Sequence, residues 1–218
     1  MRPVPPIVCV ITRARGVRGS PERAALVKRM AEAAGAGASM IQVRERHLDD
    51  RACVEFTREL IDGTSPTGCC VTVNDRPDLA LAAGAAGVHL KSDSISAADV
   101  RSIAAPEFLV GRSVHSLSEA IAAERNGGCD YLLFGTVFPT ASKPADHAIA
   151  GIEPLREICS SVSLPVLAIG GITPGRAAEA VRAGASGVAA ISFFAEARDI
   201  AEAVSALRAA LTRHSGRA

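Results

Sequence analysis

The chain carries almost no net charge: 24 Lys and Arg stand against 23 Asp and Glu, a formal +1 over 218 residues. Without a basic or acidic excess no global field draws it to nucleic acid or to an anionic membrane, so any anion site must be local. Long apolar runs are missing as well, and none approaches the roughly 20 residues of a membrane span. The N-terminus has Arg2 and closely spaced prolines before a short apolar run, without the long apolar stretch and small-residue cleavage site of a signal peptide, so a cytoplasmic protein is expected. The six cysteines (Cys9, Cys53, Cys69, Cys70, Cys129 and Cys159) form no CxxC pair and sit mostly in apolar runs, which reads as reduced core residues. A GxGxxG after the first strand is also missing, and a doubly wound dinucleotide fold would want one there.

What is present is alternation. Short β-branched runs at 7–12, 40–44, 70–73, 87–90, 109–111, 131–134, 165–169 and 187–191 are separated by alanine-rich stretches with helical spacing. The segments 22–33, 50–61 and 197–211 read as amphipathic helices. Eight such pairs predict an α/β chain folded as a single (β/α)8 TIM barrel over 1–218, with 213–218 as a loose tail. A glycine-bearing helix end leads into the next strand at AGAGASMIQVR (34–44), AAGAAGVHL (82–90), NGGCDYLLFG (126–135) and RAGASGVAAIS (182–192), where glycine suits a left-handed helix cap. That punctuation is structural and says nothing of chemistry.

In such barrels the strand exits share one face, on which catalytic groups gather. LVGRSVHS (109–116) places Ser113 and His115 at one exit. An imidazole titrating near neutrality can take and return a proton, the alternative being a histidine that packs the following helix start. In QVRER (42–46), strand alternation sends Gln42, Arg44 and Arg46 to one side, toward the barrel mouth. Asn74 and Asp75 close another strand and either cap the next helix or meet a ligand or metal. In HLKSDS (89–94), Asp93 could meet a metal, Lys91 an anion, and Ser94 could cap the helix from Ala97. GTVFPTASK (135–143) offers Thr136, Thr140, Ser142 and Lys143, a composition suited to an anion or to a lid over 136–150. Finally, AIGGIT (168–173) and AAISFF (189–194) follow the last two strands, where barrels often bind phosphate; Gly170, Gly171, Ile191 and Ser192 would do so through backbone amides.

QVRER, VNDRPDLAL, GVHL, GRSVHSLSEA, YLLFGTVFPTASK, PVLAIGGI and AGASGVAAIS occur in this order over nearly the whole chain. Together they resemble the thiamine phosphate synthase and thiazole tautomerase superfamily. The resemblance implies a TIM barrel that handles a phosphorylated thiazole, its phosphate on Gly171, Ile191 and Ser192. Synthases of the family displace pyrophosphate from an aminopyrimidine with magnesium, using one aspartate of an Asn-Asp pair and a second in a segment resembling HLGQED. Asp75 matches the first; the second falls on Ser94, with Asp93 in the preceding slot and Lys91 replacing a glycine. Serine is a poor carboxylate substitute at a hard cation, and a nearby ammonium disfavours a metal further.

The reading that follows is the tautomerase branch: an isomerase that aromatises a carboxythiazole phosphate by proton transfer, with His115 as shuttle and Arg44 and Arg46 on the substrate carboxylate, needing no metal or cofactor. A synthase retaining Gln42, Arg44, Arg46, Asn74, Thr140, Ser142 and Lys143, with Asp75 on magnesium, is the alternative. A non-catalytic regulatory protein that binds thiazole phosphate or thiamine phosphate is a third. The expected partner is a small phosphorylated thiazole, with no nucleic acid and no membrane; self-association into a homodimer is left open.

Overall fold

The computed structural model describes residues 3–13, 19–140 and 148–213. Strands β1 (Ile7–Ile11), β2 (Met40–Val43), β3 (Cys70–Asn74), β4 (Gly87–Leu90), β5 (Leu109–Val114), β6 (Tyr131–Phe134), β7 (Val166–Ile169) and β8 (Gly187–Ala190) lie parallel and close into a barrel in chain order. Helices α1 (Pro21–Gly35), α2 (Asp50–Thr64), α3 (Pro77–Ala83), α4 (Ala97–Ile103), α5 (Leu117–Asn126), α6 (Ile152–Ser161), α7 (Pro174–Arg182), the single turn α8 (Ser192–Ala195) and α9 (Ile200–Thr212) connect and follow them. This is the (β/α)8 barrel that the alternation predicts. No helix among the described residues is long and apolar enough to cross a membrane, and all six cysteines are free thiols. The expected loose tail lies, apart from Arg213, outside the described residues.

Strand alternation builds two cores. Ile7, Cys9 and Ile11 of β1 join Met40, Leu109, Leu133 and Leu167 inside the barrel. The residues between them, Val8 and Val10, pack outward with Phe56, Leu60 and Phe134 beneath the helices. Burying both faces is why the strands read as continuous apolar runs. The four repeated helix ends each hold a glycine at positive φ, Gly37 (98°), Gly84 (72°), Gly127 (71°) and Gly184 (101°), which L side chains rarely adopt; Gly84 caps its helix in the left-handed conformation, whereas Gly127 has ψ −179° and is not a left-handed cap.

Two local expectations need correction. Ser94 does not cap α4: Ser96 does, accepting from Asp99 N in a reciprocal capping box. Nor do Asn74 and Asp75 cap α3, because Arg76 fills that position and makes no side-chain cap bond. Both segments are thereby left to the strand exits.

Candidate active site

A cavity of ≈ 190 Å³ opens where the strands end. It is lined by Gln42, Arg44, Arg46, Asn74, Ser113, His115, Thr140, Gly170, Gly171, Ile191 and Ser192, so these expected site residues, drawn from the exits of β2, β3, β5, β6, β7 and β8, do converge. Ser142 and Lys143 lie outside the described residues. His89, Lys91 and Thr136 line the same cavity.

On the β2 and β3 side, Gln42 is buried and its Nε2 donates to Asn74 Oδ1 at 3.0 Å. Arg44 is tied through its backbone N–H to Thr12 Oγ1 at 3.0 Å. Burial, and then the neighbouring Arg46, hold the Arg44 guanidinium below its usual pKa. Two guanidiniums that raise each other's energy in this way gain most from an anion placed beside both.

Beneath the β4 exit lies a network set by a glycine. His89, Gly111 and Tyr131 are in register on three adjacent strands. Because Gly111 has no side chain, the outer two meet across it, with ring centroids 5.6 Å apart and Tyr131 OH 3.2 Å from His89 Nδ1. A Cβ on Gly111 would stand 2.1 Å from the tyrosine ring. The other imidazole nitrogen, Nε2, is 2.9 Å from Ser113 Oγ. Burial lowers the His89 pKa to about 4, with Asp75 pulling the other way. The ring is therefore neutral near pH 7 and fixes the Ser113 hydroxyl on the cavity wall.

His115 stands at the exit of β5. Its backbone N–H donates to Glu119 Oε2 at 2.9 Å, and its Nδ1 lies 2.7 Å from the Gly135 carbonyl oxygen. A carbonyl only accepts, so Nδ1 carries a hydrogen and Nε2 is the nitrogen left for a substrate. The ring both anchors on the β6 loop and faces the cavity, so the packing and chemical readings of His115 are not exclusive.

Across the barrel, β7 ends in Gly170 (φ 103°) and Gly171 (φ 61°). A Cβ on Gly171 would approach Pro139 O to 2.3 Å. Arg176 of α7 clamps this turn to the β6 loop, donating to Gly171 O at 2.8 Å and Pro139 O at 3.3 Å and lying over the Phe138 ring. Ile191 and Ser192 complete this side at the start of α8.

Asp75 and Asp93 do not line the cavity; Lys91 stands between them. Its Nζ is 2.7 Å from Asp75 Oδ2 and 3.6 Å from Asp93 Oδ1. Burial raises the Asp75 pKa, but Lys91 and Ser94 outweigh it and hold the carboxyl below its usual range. Among the described residues no cluster of three or more His, Cys, Asp or Glu could hold a metal ion.

Residues 8–194 match the family described as thiamine monophosphate synthase. A thiamine-phosphate synthase of Chloroflexus aurantiacus is 41% identical over 200 residues, covering 92% of this chain and 90% of that protein. Another, from a Roseiflexus species, is 42% identical over 207 residues, covering 94% and 85%. Among solved structures, thiamine phosphate pyrophosphorylase from Pyrococcus furiosus aligns with a TM-score of 0.83 at 36% identity, covering 96% of this chain and 97% of that one. These relatives overturn the expected thiazole tautomerase, and with it the isomerase class and the leaning toward that branch. That leaning rested on Ser94 in an acid's place and on His115. The structure answers the first with an ammonium on Asp75, and an imidazole on the cavity wall does not discriminate between the two chemistries.

Proposed function

This chain belongs to the thiamine monophosphate synthase family, and from that premise we propose that it is a transferase joining a hydroxymethylpyrimidine pyrophosphate to a thiazole phosphate with release of pyrophosphate. The observation that carries this reading is a single cavity with anion-binding groups on two facing sides. Arg44, Arg46 and Lys91 stand on the β2 to β4 side, and the Gly170-Gly171 turn with Ile191 and Ser192 stands on the β7 and β8 side. In a closed barrel of eight strands in chain order, β3 faces β7 and β4 faces β8. Two phosphorylated substrates, reacting end to end, need two such sides.

In this reading the thiazole phosphate sits on backbone amides of Gly170, Gly171, Ile191 and Ser192, where a glycine turn lets the main chain come close. The pyrophosphate lies against Arg44 and Arg46, whose mutual repulsion it relieves. Gln42 and Asn74, fixed to one another, and Ser113, fixed by His89, orient the pyrimidine. Thr140 belongs to the β6 loop that borders the cavity. Holding the ring nitrogen in line with the methylene carbon turns a bimolecular displacement into an intramolecular one. His115 Nε2 binds substrate rather than shuttling a proton, because exchanging a C–O for a C–N bond at the methylene moves no carbon-bound proton. Free thiols persist in a reducing compartment, which supports a cytoplasmic enzyme.

Synthases of this family are magnesium-dependent in general. The donor set here does not fit that ion. One carboxylate, Asp75, already holds an ammonium, its neighbour is the hydroxyl of Ser94, and Asp93 is 79% exposed. Hard divalent cations favour several oxygen donors with nothing competing for them.

The test is direct. Purified protein given both substrates, assayed with Mg²⁺ and separately in EDTA, should form thiamine phosphate and pyrophosphate in equal amounts. Absence of both products in both conditions would overturn the reading.

A further inference from the structure

The misfit at the β3 and β4 exits is specific in its geometry. Asp75 adopts φ 62° just past β3, held there by its N–H donating to His89 O at 2.8 Å. One carboxylate oxygen receives the Ser94 hydroxyl, while the other faces Lys91 Nζ at 2.7 Å. Ser94 Oγ also accepts from the Lys91 backbone N–H at 3.0 Å, so the Asp75 carboxylate is bonded to the Ser94 hydroxyl on one oxygen and to the Lys91 ammonium on the other, and the hydroxyl ties back to the Lys91 main chain. Arg112 of β5 braces the loop beneath, donating to Ser92 O at 2.8 Å and Ile95 O at 3.0 Å. Lys91 also lines the cavity, and an ammonium has three donors, of which Asp75 needs one.

The Asp75 carboxylate carries its own counter-charge in the Lys91 ammonium, with the exposed Asp93 3.6 Å from the same nitrogen. We propose that Lys91 Nζ, held by Asp75, is the resident cation of the leaving-group side and takes the place of a metal ion there, so that pyrophosphate is bound and released without a divalent cation. This rests on the synthase reading, which supplies the pyrophosphate. As the C–O bond to the methylene breaks, pyrophosphate departs with the bonding electron pair toward Lys91, Arg44 and Arg46, and the thiazole nitrogen supplies the pair of the new C–N bond.

Two binding experiments on the full chain test this apart from turnover. Calorimetry with inorganic pyrophosphate in EDTA should show binding by the wild type, weakened about tenfold or more by Lys91→Ala, the equivalent of one charged contact, and largely restored by Lys91→Arg. Titration with Mn²⁺ followed by electron paramagnetic resonance, with pyrophosphate present, should show the Lys91→Gly/Ser94→Asp double variant binding the ion at least about tenfold more tightly than the wild type. Wild-type protein that binds pyrophosphate only with a divalent ion, or holds Mn²⁺ as tightly as the double variant, overturns the proposal, and neither result depends on a Lys91→Ala protein folding. Pyrophosphate binding in EDTA without thiamine phosphate synthesis under any condition supports the role of Lys91 and overturns the synthase reading instead.

Discussion

The two sides of the barrel mouth solve the same problem, holding an anion, with different materials. The β7 and β8 side uses main chain: Gly170 and Gly171 at positive φ, clamped by Arg176. The β2 to β4 side uses side chains: Arg44, Arg46 and the Asp75, Ser94 and Lys91 unit. Backbone placement fixes geometry and leaves little room for substitution, whereas a side-chain cluster can trade one charge carrier for another while the local sum is kept. On that contrast, Ser94, standing where the family resemblance implies an acid, is a poor guide to the reaction.

The contrast is breakable. Gly171→Ala puts a Cβ 2.3 Å from Pro139 O in a conformation that L residues avoid, and a shift of about 1 Å there costs on the order of 100-fold in rate. Steady-state kinetics should show the loss chiefly with thiazole phosphate; an alanine variant with unchanged kinetics would remove the main-chain phosphate site. Under the opposite side, His89 makes stability fall with acid. An unfolded histidine near 6.5 takes up a proton that folded His89 refuses down to about 4, so the unfolded state binds more protons in that window. The loss between pH 6.5 and 4 amounts to about 3 kcal/mol. Urea unfolding of His89→Gln should lack that part of the slope, and a variant with the wild-type slope would exclude His89 as its source.

Gly111→Ala should destabilise by about 1–3 kcal/mol through overpacking against Tyr131, seen as a lower Tm. It would also release Ser113, so kcat/KM should fall with the stability; a thermally neutral variant would mean that the ring has room to move. The smallest effect is expected from His115→Ala. As a binding group its loss should stay below the ~100-fold that marks removal of an acid–base catalyst. A larger drop in kcat, with a pH profile that loses one limb, would return His115 to proton transfer.

Much of this was legible in the sequence because local rules decided it. Gly87–Leu90 and Tyr131–Phe134 match their expected bounds, since apolar runs end abruptly there. β5 outran its expected end at Gly111, continuing to Val114, because Arg112 and Ser113 are polar yet still pair with β6. Gln42, Arg44 and Arg46 converge as alternation implied. The rest depended on register and long-range pairing. Neither the meeting of His89 with Tyr131 over Gly111 nor the choice of Ser96 over Ser94 as the cap leaves a local signature. Lys91 could be read as an anion holder, but its grip on a carboxylate 16 positions away needed the barrel closed around it.

The rate of thiamine phosphate formation by the wild-type protein, measured in EDTA and again with excess Mg²⁺, bears on all of this at once. Lys91 as the resident cation predicts that the two rates agree within about tenfold, the scale of one charged contact. A rate that drops to background in EDTA and returns on adding Mg²⁺ would contradict it and put a metal back between Asp75 and the leaving pyrophosphate.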